Sequence, residues 1–555
     1  MVLLVRSDEK ASPRPLPPQG TKEDDDARLP RGLKLCVILL SLILSILLVA
    51  LDMTVIATTI PQITDEFQSL EQVGWYGSAY FLTCAAFQSV WGKAYTYFDT
   101  KATFTVGVAF FEIGTLICAL SPNSTTFIVG RATTGIGGAA LASGAFSIVA
   151  KIVTPKKRSM YIGFMGATFG KFKQFTVTSS LIVMIGIASV VGPLIGGFFT
   201  EYTKGSPYSG WRCCFWINVP IGILASLITV FFFHPPPSRY GSMCLREKIL
   251  HMDLFGVAPL LTSMVLFLLA MRWGGTILPW SSRQVIGALA GSLICLLIFI
   301  TVEWSSGEKA MMQWRFFKKY AILLNLAYVF FLSGLYMPAV YFISIQFQAL
   351  EGIHPAQAGL QLIPLVLCVS IGTIIANTSI SKLGWPELWL LSGPILATSG
   401  ALLVYKLGSG ANVERWILFQ IVLGFGVGFA LQTPMSINQS LVKAEDIPAI
   451  VGITLFFEMS GASLLITSCD AAFSNRLVVS LKQSNSTIDS TSVIESGAGH
   501  LRTFFNSDDL DAVLNAYQDG LNATYLVMSI CGCITVGISL LSILRTKTRQ
   551  SLLSV

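Results

Sequence analysis

The sequence predicts an all-α polytopic membrane protein. Of its 555 residues, 53% are hydrophobic and only 12% are charged, which is about half the charged fraction of an ordinary soluble domain. Apolar runs recur from Leu33 almost to the C-terminus, and many reach the length of about 20 residues that a spanning helix needs. Glycine and proline lie inside several of these runs, which helices packed together in a bilayer tolerate.

Composition also excludes several classes of protein. Residues 1–32 are polar and rich in proline and acidic side chains, and we expect a disordered cytosolic tail there without a cleaved signal peptide. The net charge is +7, but its basic residues are scattered through short connections, which is typical of membrane orientation rather than of nucleic-acid binding. The eleven cysteines lie mostly in apolar runs and the four histidines are dispersed. Neither a metal site nor a cofactor is predicted.

The apolar runs predict about fourteen spanning helices. Their predicted starts are Leu33, Gly74, Phe104, Phe127, Tyr161, Ile217, Leu254, Val285, Ala321, Gly359, Leu388, Trp416, Ile447 and Thr524. Basic residues concentrate in the connections that lie on the same side as the N-terminus, so the positive-inside rule predicts that both termini are cytosolic. The plasma membrane is the expected location, with the vacuolar membrane as the alternative.

The first and fourth spans each contain an ionisable residue. Asp52 lies in the segment Leu51–Pro61, and Arg131 stands beside Thr133, Thr134 and Gly135. A charge at membrane depth is costly unless it faces a cavity or a partner, so a functional role is the default interpretation. The alternatives are that Asp52 reaches water near the end of its span and that Arg131 snorkels to the interface.

Several motifs, in this order along the chain, resemble those of the fungal fourteen-span drug:proton antiporters within the major facilitator superfamily. The matching residues are Leu51–Pro61 in the first span, Arg131 with Gly135 in the fourth, Gly192, Pro193, Gly196 and Gly197 in the fifth, and Trp211–Gly222 at the entry to the sixth. The resemblance extends from about Leu33 to Arg545. Each motif alone is weak, and their order and spacing carry the resemblance.

The resemblance implies two six-helix bundles that rock about a central cavity, with two additional helices between them. It implies a transporter rather than an enzyme, which exports hydrophobic or amphipathic small molecules in exchange for protons. Arg131 inherits a role in proton coupling, with Asp52 as its electrostatic partner. Glu458 and Asp470 stand where glutamine is expected in this family, so they are either further proton or cation-recognition sites or helix-end residues in water. We expect a monomer in the lipid bilayer.

The domain organisation follows from this comparison. The predicted regions are a tail at 1–32, an N-terminal bundle at 33–233, a cytosolic linker at 234–253, two additional helices at 254–302, a C-terminal bundle at 303–545 with an outward loop at 474–521, and a tail at 546–555.

The connection after the second span only partly matches the superfamily's gating loop. An acid is expected at its fifth position, where this chain has Thr96, while Gly92, Lys93 and Lys101 remain as candidate gating residues. Gating is therefore expected to use other contacts as well.

Two further sets of residues are predicted on weaker grounds. The candidates for the substrate cavity are aromatic and amide side chains suited to a large, weakly polar ligand, namely Tyr336, Tyr341, Gln346 and Gln361; the alternative is that they pack helix against helix. The candidates for N-glycosylation are the sequons at Asn485, Asn123 and Asn522, for which chance occurrence is the alternative.

The fifth span is too long. The run Tyr161–Thr200, with Lys171 and Lys173 in its middle, is nearly twice the length of about 20 residues that one span needs. Deleting residues 171–186 restores a run of spanning length and moves Gly163 to the position at which the superfamily motif has a glycine before Gly192. We therefore interpret residues 171–186 as an insertion, such as a short translated intron. A genuine kinked or re-entrant element is the alternative.

Other functions remain open on sequence alone. An importer of a nutrient or siderophore would share the fold, and a chain that truly contains residues 171–186 could be a non-transporting product. A membrane-embedded enzyme lacks support because no Cys/His constellation is present. A P-loop ATPase is excluded, since no glycine-rich loop ends in Gly-Lys-Ser/Thr.

Overall fold

The computed structural model describes residues 30, 32–67, 73–154, 158–162, 210–235, 240, 243–353, 355–406, 413–484, 492–493 and 501–553. Within these ranges the named elements are all helices. These helices form twelve segments that are long and apolar enough to cross a membrane, and some of the segments consist of two consecutive helices. They coincide with twelve of the predicted spans. The predicted second span is also a helix but is less apolar, and the predicted fifth span lies mostly outside the described residues.

The first half of the chain forms one bundle. Its helices are α1 (Leu33–Phe67), α2 (Val73–Tyr97), α3 (Thr100–Ala119), α4 (Ser124–Ile152), α5 (Gly210–Trp216) and α6 (Asn218–Phe232). Helix α4 packs against α1, α2 and α3. Gly114 and Gly137 permit the close approach of α3 to α4, because an added Cβ at either position would collide with the backbone of the facing helix. Small residues of this kind are what tightly packed membrane helices require.

The second half forms another bundle. Its helices are α10 (Trp314–Phe317), α11 (Tyr320–Ala349), α12 (Pro355–Gln361), α13 (Ile363–Leu383), α14 (Pro386–Tyr405), α15 (Val413–Leu431), α16 (Thr433–Ser440), α17 (Ile447–Gln483), α18 (Leu501–Phe504) and α19 (Ser507–Leu553). Helix α11 packs on α17 and α19, while α15 packs on α13 and α14.

The connection between α17 and α19 is shorter than the loop predicted at 474–521. Helix α17 continues to Gln483 and α19 begins at Ser507. Leu477 and Leu481 on α17 and Val513 and Tyr517 on α19 belong to the buried core of the second bundle. The helices therefore extend because apolar side chains recur at helical spacing beyond the hydrophobic run.

The two additional helices lie at the junction of the bundles. After the short helix α7 (Leu245–Leu250), they are α8 (Leu254–Trp273) and α9 (Arg283–Ser306). Helix α8 packs against α2 of the first bundle and α17 of the second. A separate hydrophobic core joins these elements, with Val90, Leu260, Met312 and Ile453 among its buried members.

Candidate functional site

An ion pair is buried inside the first bundle. Arg131 on α4 donates Nη1–H to Oδ2 of Asp52 on α1 at 2.5 Å, and both side chains are 0% exposed. Arg131 also donates Nε–H to the carbonyl oxygen of Tyr76 at 2.9 Å, and its guanidinium carbon lies 4.7 Å from the ring centroid of Tyr80. One arginine thereby connects α4 to both α1 and α2. The burial argues against the interfacial alternatives for both residues.

The ion pair is incompletely hydrogen-bonded. Asp52 Oδ1 and Arg131 Nη2 have no hydrogen-bond partner among the described residues. A buried pair repays the loss of hydration only when its geometry is good and its remaining polar atoms are satisfied. A proton or polar ligand that reaches Asp52 therefore competes with Arg131 for a carboxylate whose hydrogen bonding is incomplete. Gly135 supports the site, since an added Cβ there would collide with the carbonyl oxygen of Tyr80.

Glu458 on α17 lies between the two bundles. It is 8% exposed and close enough to Tyr336 on α11 and to Cys84 on α2 for electrostatic interaction. Cys84 interacts in the same way with Asp52. Cys84 on α2 therefore lies within electrostatic reach of both Glu458 of the second bundle and Asp52 of the first.

Asp470 belongs to a different place. It lies about 18 Å beyond Glu458 along α17, at 1.5 Å of rise per residue, and it is exposed. Its electrostatic neighbours are Arg272 at the end of α8 and Tyr341 on α11. The structure therefore does not join the two acids of α17 into one site.

The four cavity candidates are dispersed as well. Tyr336 is near Glu458, whereas Tyr341 is 46% exposed and near Asp470. Gln346 is 1% exposed and accepts a hydrogen bond from the Tyr525 hydroxyl at 2.5 Å, so the structure places it in the packing of α11 on α19. Gln361 ends α12 and is half-buried. Tyr336 alone of the four lies beside the acid at the bundle junction.

Two glycines bring the bundles into contact on the face where α1 begins and α2 ends, here called the N-terminal face. An added Cβ on Gly92 would lie 2.7 Å from the Pro448 carbonyl oxygen and 2.9 Å from the Gly452 Cα atom. An added Cβ on Gly452 would lie 2.8 Å from the Gln88 carbonyl oxygen. The backbones of α2 and α17 therefore touch, and any side chain at either position would separate them.

Lys93 anchors the segment that follows α9, here called the strap (Gly307–Gln313). The lysine is 1% exposed. Its Nζ donates to the carbonyl oxygens of Glu308 at 3.3 Å, Lys309 at 2.9 Å and Ala310 at 2.5 Å. Lys101 lies at the start of α3, is half-buried, and is not part of this contact.

Two acids hold the other edge of the strap. Glu303 Oε2 accepts the backbone N–H of Met312 at 2.7 Å, and Asp253 Oδ2 accepts that of Met311 at 3.3 Å. Just beyond the strap, Arg315 donates to Asp446 at 2.6 Å, immediately before α17. The additional helices are thereby attached to both bundles at the N-terminal face.

The remaining predicted residues have diverse placements. Asn123 caps α4 by accepting the N–H of Thr126 at 2.8 Å, and Asn522 lies within α19, where it accepts a hydrogen bond from Gln518 at 3.1 Å. The predicted residues that lie outside the described part of the chain are Asn485, Gly163, Gly192, Pro193, Gly196, Gly197 and the segment 171–186.

Sequence reasoning missed several of these residues. Gly452 and Cys84 show no motif of their own, and only the packing of α2 on α17 reveals them. Glu303 could have been found, since it is an acid inside an apolar run and the argument applied to Asp52 holds for it too.

Comparison with known proteins gives a consistent result. Residues 42–465 match the Major Facilitator Superfamily. The chain is 36% identical over 523 residues to the MFS-type transporter GME11371 of Pestalotiopsis microspora, covering 93% of this chain and 92% of that protein. It is 36% identical over 500 residues to the probable efflux pump gsfJ of Penicillium aethiopicum, covering 90% and 85%. It is 33% identical over 512 residues to the rubrofusarin-specific efflux pump aurT of Gibberella zeae, covering 92% and 90%.

Solved structures share the fold at low sequence identity. An inward-facing bacterial homologue of the human lysosomal transporter Spinster matches with a TM-score of 0.58 and 15% identity, covering 92% of this chain and 97% of that one. The proton:xylose symporter XylE matches with a TM-score of 0.55 and 14% identity, covering 90% and 94%.

Proposed function

Because the chain belongs to the major facilitator superfamily, we propose that it exports hydrophobic or amphipathic small molecules in exchange for protons. The cargo is a secondary metabolite, a toxin or a drug. Relatives that carry the name efflux pump align with about nine-tenths of the chain, which supports export over import.

The observation that carries proton coupling is the buried pair of Asp52 and Arg131. Its carboxylate lies at membrane depth with one oxygen unpartnered among the described residues. A proton arriving at Asp52 neutralises the carboxylate and releases Arg131 from its ion pair. The helices that the arginine connects, α1, α2 and α4, can then shift relative to one another. Proton binding is thereby converted into a change of packing in the first bundle.

Glu458 is proposed as the link between the proton site and the cargo. It faces the first bundle across the junction and shares Cys84 with Asp52 as an electrostatic neighbour. A carboxylate in this position favours cargo with a cationic group, and Tyr336 beside it offers an aromatic surface.

The described conformation is closed at the N-terminal face. The Gly92–Gly452 contact joins the bundles there, and Lys93 of the first bundle is docked on the strap that leads into the second. We propose that this face is cytosolic, in accordance with the positive-inside rule, so that cargo enters when these contacts break. The chain then acts as a monomer in the plasma membrane, with the domain boundaries predicted above except for the shorter connection between α17 and α19.

Transport into proteoliposomes tests the proposal. The full chain is reconstituted and offered rubrofusarin, the cargo named for one relative, and separately an amphipathic cationic dye. A proton gradient is expected to drive uptake into vesicles in which the protein is inverted, and collapse of the gradient with a protonophore is expected to stop it. Uptake that is the same with and without the proton gradient would contradict proton exchange.

Measuring how much dye cells retain distinguishes export from import. Expression of the chain is expected to lower retention of the dye, and Asp52→Asn is expected to restore retention to the level of cells without the protein. Higher retention in expressing cells would establish an importer instead. Unchanged retention of both the dye and rubrofusarin would refute the export proposal.

A further inference from the structure

Glu112 on α3 is a half-buried acid that the proposed coupling does not use. Its side chain points at α6, where an added Cβ on Gly222 would lie 2.6 Å from Glu112 Cδ and 3.2 Å from Cγ, and still closer to Oε1. The carboxyl group therefore occupies the space that a side chain at position 222 would need. Both carboxyl oxygens are buried, and neither has a hydrogen-bond partner among the described residues.

Asn218 adds a second unpartnered group to the same interface. It precedes Gly222 by one helical turn and so lies on the same face of α6. Asn218 is 2% exposed, and its Oδ1 has no hydrogen-bond partner within the described ranges. The interface of α3 with α6 thus buries the oxygen atoms of a carboxyl and an amide without a hydrogen bond between them and the described chain. Burying such acceptors unpaired destabilises the folded state.

Within the described ranges, no ionised side chain pairs with Glu112. Helix α6 contains no ionisable side chain. On the other helices that pack against α3, the basic groups have other partners: Arg131 binds Asp52, Lys93 binds the strap, Lys151 donates to Thr100 at 2.6 Å, and Arg212 binds Glu66 at 2.6 Å. On α3 itself, the Cys118 thiol donates to the Phe127 carbonyl, and Lys101 lies about 16 Å from Glu112 along the helix axis.

We propose that Glu112 is a proton-binding residue, separate from the Asp52–Arg131 pair. In this conformation the carboxyl group carries a proton taken from water, which forms one O–H bond and removes the negative charge. The new O–H supplies a donor to an interface that contains unpaired acceptors. Release of the proton would leave a carboxylate buried without a donor, so it requires α3 and α6 to separate. Proton occupancy of Glu112 is thereby linked to the packing of these two helices.

Infrared difference spectroscopy of the purified full chain tests this without any transport measurement. The C=O stretch of a protonated carboxylic acid is expected at neutral pH in the wild type. Glu112→Gln, which is nearly isosteric and cannot ionise, is expected to remove one component of that band. The matched control is Glu66→Gln, because Glu66 is paired with Arg212 in the same bundle and should contribute nothing to the band. A band unchanged by Glu112→Gln would overturn the proposal, since Glu112 would then be ionised.

A double-mutant cycle tests the packing of the Glu112 carboxyl group against Gly222. Gly222→Ala should lower the apparent melting temperature of the otherwise wild-type chain, because the new methyl group would collide with Glu112. In the Glu112→Ala background the same substitution should have little effect, so the two changes should be strongly non-additive. Additive effects on the melting temperature would refute the contact between Glu112 and Gly222. Should Gly222→Ala prevent folding, rescue by Glu112→Ala remains the expected result. Because both experiments read protonation and stability, their failure is distinguishable from a failure of export.

Discussion

Replacement of Asp52 by asparagine is the most direct test of the buried ion pair. The substitution changes the size of the side chain very little, but it leaves Arg131 charged and 0% exposed. The guanidinium then retains the Tyr76 carbonyl at 2.9 Å and the Tyr80 ring, and its only described ionic partner is gone. The perturbation is therefore an uncompensated charge in the centre of the first bundle.

The expected magnitude follows from this geometry. Removing one partner of a buried pair costs about 3–5 kcal/mol. The contact with Tyr80 offsets part of this loss, since a desolvated cation–π interaction contributes about 2 kcal/mol. Two atoms of the pair also have no hydrogen-bond partner among the described residues even in the wild type. We therefore expect Asp52→Asn to cost about 3 kcal/mol. An Asp52→Leu/Arg131→Met double variant leaves no buried charge at this site, and we expect its stability to lie within about 1 kcal/mol of the wild type.

The assay is a complete double-mutant cycle on the purified protein. Unfolding of the wild type, Asp52→Leu, Arg131→Met and the double variant is followed by denaturant titration in detergent micelles. The coupling energy between the two sites is expected to reach at least about 2 kcal/mol. Proton-driven transport is measured in parallel, and it should be lost in all three variants, including the stable double variant.

Two results would refute this reasoning. Additive single-variant effects would mean that Asp52 and Arg131 do not interact in the folded protein. Full proton-driven transport by the double variant would separate the pair from coupling, even if the stability cycle came out as expected.

Three further predictions concern the bundle junction. Lys93→Met removes three charge-assisted hydrogen bonds and should raise labelling of residues in the central cavity, by a reagent added at the N-terminal face, by about tenfold or more. The control Lys101→Met should leave labelling unchanged. Equal labelling of both variants would exclude the strap from gating. Gly92→Leu should abolish transport by separating α2 from α17. Gly77→Leu on the same helix should be tolerated, because an added Cβ there meets nothing within 4 Å. Wild-type transport by Gly92→Leu would contradict the closed contact. Glu458→Gln should weaken binding of the cationic dye by about tenfold, the equivalent of about 1.4 kcal/mol, while uptake of a neutral cargo persists; an equal loss for both would indicate a structural role.

The spans were predictable because membrane hydropathy is a local property. A run of about 20 apolar residues can satisfy its backbone in a bilayer only as a helix, and twelve predicted spans coincide with spanning helices in the described part of the chain. The ends of helices were less predictable. Helix α19 begins at Ser507 rather than near Thr524 because Val513 and Tyr517 pack into the core of the second bundle, and hydropathy does not report such contacts.

The candidate site was predictable only in part. Asp52 and Arg131 were found because a charge inside an apolar run is costly wherever it occurs. Their mutual contact was suggested by the resemblance to a family rather than by any feature of the two segments. Gln346 also belongs to an apolar span, yet it hydrogen-bonds Tyr525 in helix packing. Polarity alone does not distinguish a side chain that faces a cavity from one that bonds a neighbouring helix.

The sequence by itself determined the approximate position of twelve spans, the membrane class and the buried charges Asp52 and Arg131, since each depends on transfer of nearby groups out of water. Only the tertiary structure decided which atoms meet. It put Gly92 against Gly452, Lys93 on the strap, and Glu112 in the space left by Gly222. These contacts join residues from about 100 to more than 300 positions apart, and their formation depends on the shapes of facing helices, which no single segment encodes.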